Sequence, residues 1–174
     1  EPTWLQKSYG PQTKISSSDL FHFLVPLSTS KTPGRAVLFG TFAPPGSVNP
    51  VDNFVGGAWI FDKNTWIKVA DTPQARFNHA MCDLGNQKML LFGGLAMLAH
   101  PTLLQDTWVY NVASDSKQQR WEQQTAVGPS AREKSALAYL SPGKAVLFAG
   151  SQLGSPILND VWIFQVQSSA SNVI

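Results

Sequence analysis

Short apolar runs, each cut off by small residues, punctuate the chain: AVLFG at 36–40, MLLFGG at 89–94 and AVLFAG at 145–150. None alternates with polar residues, which predicts inner strands covered on both faces by neighbouring sheets. A helix is excluded by length, because glycine ends each run after about five residues. Gly93 and Gly94 allow positive φ or the close approach of another backbone. After a loop of variable length comes an aromatic alternation, WIFD at 59–62, DTWVYN at 106–111 and DVWIF at 160–164. A period of two puts Trp59 with Phe61, Trp108 with Tyr110 and Trp162 with Phe164 on one strand face. Such rings bury roughly 150–250 Å² each and can fill the gap between stacked sheets. A lone tryptophan, Trp66 or Trp121, then marks an outer strand, and Trp4 stands in the same way ahead of the first run. Each is followed by a proline (Pro11, Pro73, Pro129) and, three residues later, a base (Lys14, Arg76, Arg132), which fits a crossing loop.

The ordered set resembles the kelch repeat, whose period is about 50 residues. The middle unit carries it most fully, as Pro73, Arg76, His79, the Phe92-Gly93-Gly94 run, Asp106, Trp108, Tyr110 and Trp121. The outer units depart from it. Lys14 replaces the arginine and Thr41 the second glycine in the first, which also lacks the acidic residue ahead of Trp59. Ser135 replaces the histidine and Ala149 the first glycine in the third. The resemblance implies an all-β fold of kelch-type β-propeller blades, three four-stranded antiparallel sheets over 1–167, with 168–174 a flexible tail. Propellers close with about 4–8 blades. The ring is therefore expected to be completed by a second copy, as a six-bladed homodimer, or by another chain. Strand 3–7, with Trp4, is expected to close the last blade.

Composition narrows the function. Charged residues make up 14%, below the roughly 25% usual in soluble domains, and the net charge is only +2. No basic cluster exists, so no nucleic-acid partner is implied. The single cysteine, Cys82, rules out an internal disulfide and reads as a small buried filler. No apolar run reaches the ~18 residues of a spanning helix, so no membrane insertion is expected. A start at Glu1 with much Ser and Thr leans towards a processed extracellular domain, with a cytoplasmic adaptor as the alternative.

The candidate chemistry is thin. His22, His79 and His100 with one cysteine make no zinc signature. His79 reads as structural, and Arg76 and Arg132 as donors to carbonyls between blades. Asp52, Asp62, Asp71, Asp83, Asp106 and Asp160 read as turn caps. With Trp4, Gly93, Gly94, Trp108, Trp121 and Trp162, the histidine and arginines form the expected structural set. Binding is expected instead on the loops after the apolar runs, all on one face. They span 41–54 with Phe42 and Phe54, 95–104 with Met97, Leu98, His100, Leu103 and Leu104, and 151–158 with Leu153 and Ile157. The leading expectation is a non-catalytic module that engages a protein, or a glycan-bearing partner, with no cofactor and no metal. Kelch scaffolds also carry copper radical oxidases resembling galactose oxidase, which need a Tyr–Cys crosslink. Here that would draw Cys82 to Tyr9, Tyr110 or Tyr139. The remaining alternative is a purely structural subunit whose main partner is its second copy.

Overall fold

A computed structural model describes residues 22–26, 34–42, 55–69, 72–97, 100–112, 121–125, 127–153 and 156–166. The described residues form antiparallel strands in three sheets. The first contains β1 (His22–Pro26), β2 (Ala36–Phe42), β3 (Val55–Asp62) and β4 (Thr65–Val69). The second contains β5 (Ala80–Gly85), β6 (Lys88–Met97), β7 (Pro101–Asn111) and β8 (Trp121–Gln124). The third contains β9 (Ala136–Ser141), β10 (Lys144–Gly150) and β11 (Leu158–Gln165). Strands within a sheet are neighbours in sequence order, so each sheet is a simple meander, one propeller blade. Blade 3 has three strands among the described residues. Strand 3–7, expected as its fourth, lies outside them, as do Phe54, Leu98 and the tail 168–174.

Tight turns set the meander. Lys63 and Asn64 join β3 to β4, and Asn86 and Gln87 join β5 to β6, all at positive φ. That is the turn geometry whose twist matches paired strands. The Asp83 carboxylate accepts the Gly85 N–H at 3.1 Å, as a turn cap should.

The apolar runs form the second strand of each blade, not the innermost. The first strands β1, β5 and β9 come together across the blades and line the axis side. Packing follows the aromatic pattern. Val37, Phe39 and Ile60 of blade 1 meet Met81, Met89, Leu91, Tyr110 and Trp121 of blade 2 in one core. The opposite face of blade 2, through Cys82, Leu84, Leu90 and Val109, meets Ala145, Leu137 and Phe164 of blade 3. The central run is thus buried on both faces, and each such aliphatic side chain contributes roughly 1.5–3 kcal/mol. The run in β10 is covered on one face only, and Phe148 is half exposed.

Candidate functional site

The two buried arginines anchor one device built twice. Arg76 is fully buried. Its guanidinium donates to both oxygens of Asp106, at 2.5 and 2.8 Å. It also donates to the Gln74 carbonyl at 3.0 Å and the Gly93 carbonyl at 3.1 Å. The Trp108 indole N–H donates to the same carboxylate at 2.6 Å. In blade 3, Arg132 grips Asp160 at 2.5 and 2.9 Å and the carbonyls of Ser130 and Ala149 at 3.0 and 3.1 Å. Trp162 donates to Asp160 at 2.6 Å. The planar fork of arginine matches a carboxylate in two parallel bonds, which lysine cannot do. Asp106 and Asp160 are therefore not turn caps: they lie inside β7 and β11 and hold the crossing loop to the third strand. In the first unit both halves change together, because Lys14 stands for the arginine and Gly57 for the aspartate.

Electrostatics follows from these contacts. Burial pushes the Asp106 carboxyl up, but the Arg76 hydrogen bonds and charge and the Trp108 N–H outweigh it and hold it below its ordinary value. Arg132 and Trp162 bring Asp160 down to about 2. Burial, with the Asp83 charge beside it, pushes the Cys82 thiol up to about 12, so it stays a neutral core filler at pH 7. Cys82 faces blade 3 while Tyr110 faces blade 1, so the sheet separates that possible crosslinking pair.

The glycine corner carries the blade-to-blade seam. Gly93 and Gly94 sit at φ 61° and 104°, where β6 and β7 shift register. A Cβ on Gly93 would stand 2.6 Å from the Arg132 carbonyl, and one on Gly94 2.6 Å from the Phe77 carbonyl. The Gly94 N–H donates to that Arg132 carbonyl at 2.9 Å, and Arg132 N–H donates to the Leu104 carbonyl at 3.1 Å. Lys134 N–H donates to the Asn78 carbonyl at 2.8 Å, so the seam is stitched by backbone bonds. His79 is buried beside Gly94 and meets the Phe39 ring edge-on at 5.0 Å. Ala149 keeps the same left-handed backbone, at φ 58°, with a methyl where Gly93 has none. In blade 1, β2 and β3 run in unbroken register past Gly40, which is how Thr41 is accommodated.

A scan of protein-family models finds no match. An F-box/kelch-repeat protein of Arabidopsis thaliana is 30% identical over 96 residues, 55% of this chain. The solved structure of YjhT, a kelch-type propeller, superposes with a TM-score of 0.58 over 84% of the chain at 12% identity. The repeats are kelch-like in sequence and in fold. The chain spans 20% of the length of the Arabidopsis relative and 43% of the YjhT chain.

On this kelch scaffold the expected binding residues divide. The connections β2–β3, β6–β7 and β10–β11 join the same pair of strands in every blade, so they emerge at one end. Most of the apolar stretch 95–104 is strand. β6 continues through the glycine corner to Met97, and β7 starts at Pro101, so Leu103 and Leu104 pair with Leu95 and Gly94 inside the sheet and are half buried. Phe42 likewise ends β2, opposite Val55. His100, Leu153 and Ile157 are exposed, the last two at 54% and 79%.

Proposed function

We propose that the chain is a non-catalytic binding module. It engages a protein, or a glycan-bearing partner, through the blade end where the second and third strands connect. One observation carries this reading. Arg76, Asp106, Arg132 and Asp160 are committed to tying each crossing loop to its own blade, while Leu153 and Ile157 stand in solvent on the connecting loop of blade 3. A rigid scaffold with apolar loop tips is the usual form of a partner site. The relatives' kelch repeats support a propeller module of the kind commonly used for protein binding.

The test is affinity capture with the wild-type chain and with Leu153→Asp/Ile157→Asp. Loss of the captured partner by the double variant, with an unchanged thermal melt, is the expected result. Equal capture by both proteins would move the site elsewhere. Stoichiometric copper or iron in the purified protein, with oxidase activity, would overturn the non-catalytic reading.

A further inference from the structure

The blade end that carries Leu153 and Ile157 is close to electrically neutral. In the crossing loops 72–79 and 127–135 the ionisable side chains are Arg76, His79, Arg132, Glu133 and Lys134. Arg76 is matched by Asp106 and Arg132 by Asp160. His79 is buried. Glu133 is buried too, and its carboxylate accepts the Asn78 amide N–H at 2.7 Å. The Lys134 ammonium lies 3.4 Å from the same carboxylate, so the cation that stands in water is matched as well. The connecting segments 43–54, 98–100 and 151–157 contain one aspartate, Asp52, one histidine, His100, and no glutamate, lysine or arginine. Their polar residues are otherwise serine, asparagine and glutamine.

The exposed apolar residues at this end stand on a fastened base. Ser151 and Glu133 exchange both backbone hydrogen bonds, at 2.8 and 3.0 Å. The Gln152 amide donates to the Ser130 hydroxyl at 3.2 Å and to the Ala131 carbonyl at 3.0 Å. The start of the blade 3 connection, with Leu153, is thus tied to the crossing loop that carries Val127. Val127 is fully exposed, and Ile157 stands at the far end of the same connection. A base already held by hydrogen bonds loses little further freedom when a partner settles on it.

We propose that the segment recognised at this end is an uncharged, apolar stretch of a protein, seated on Val127, Leu153 and Ile157. This rests on the binding-module reading above. A carboxylate, phosphate or ammonium brought to this surface would shed water and meet no free counter-charge, which is costly. An apolar side chain gains by leaving water and gives up no hydrogen bond. Recognition is therefore independent of phosphorylation and of ionic steering.

Random peptides displayed on phage and selected on the full chain test this. The counter-screen is Leu153→Asp/Ile157→Asp, checked for an unchanged thermal melt. The expected peptides are apolar, free of acidic and basic residues, and lost on the double variant. The affinity of a synthetic copy should weaken by less than about threefold from about 0.1 M to about 1 M sodium chloride, where the screening length falls from about 10 to about 3 Å. Charged peptides that still need Leu153 and Ile157, or a larger weakening by salt, overturn the proposed chemistry and leave the site standing. Peptides held equally by the double variant overturn the site itself. No enrichment of peptides, with or without binding to a glycan array, overturns the assignment to a protein segment.

Discussion

Blades 2 and 3 carry the same latch in different surroundings, and the difference separates what the latch does from what the seam does. Arg76 and Arg132 make the same four kinds of contact. Around them, blade 2 is covered on both faces and ends in Gly93-Gly94, while blade 3 is covered on one face and ends in Ala149-Gly150. The latch ties the crossing loop to its own blade, and blade 3 keeps it. The glycine corner serves the following blade, and blade 3 has altered it.

The sharpest way to break the comparison is to remove the arginine from each blade. Arg76→Leu strands Asp106 without its partner in a mostly buried site, and stability should fall by about 3 kcal/mol in urea titration. Arg132→Leu should cost distinctly less, because Asp160 keeps contact with water. Equal losses would mean that burial does not set the strength of the latch. The corner gives the next largest effect. Gly93→Ala drives a Cβ into the Arg132 carbonyl and should cost about 1–3 kcal/mol. Ala149→Gly relieves a left-handed alanine and should stabilise by up to about 1 kcal/mol in the same assay. The smallest effect is on pH. Asp160 titrates at about 2 when folded and near 3.9 when unfolded, and Asp106 is also lowered. The latch contribution is thus complete above about pH 4 and is lost as the pH falls towards 2. Asp160→Asn should flatten the decline of the urea midpoint across that window.

Much of the blade plan is legible in the amino-acid sequence. The order of run, glycine, aromatic pair and lone tryptophan is enough to draw each blade, because burial on both faces suppresses polar alternation in the second strand. Leu103 and Leu104 are not legible as strand residues. Gly93-Gly94 reads as an end in sequence, yet the chain passes through it as a bulge and both arms of the hairpin continue. The latch is half legible. An arginine at a fixed place is visible, but its aspartate lies some thirty residues on, and aspartate alone reads as a turn residue. A usable signal exists all the same, since the first unit loses the arginine and the aspartate together.

The aromatic strands give the stack a direction. Trp108 and Tyr110 point back to blade 1, and the Trp162–Phe164 face points back to blade 2. The two ends of such a row are unlike, a plug at one and a socket at the other. Contacts of this head-to-tail kind either return on themselves or run on into a filament. A blade can therefore join the stack in one sense only, with its aromatic strand face turned towards the blade before it.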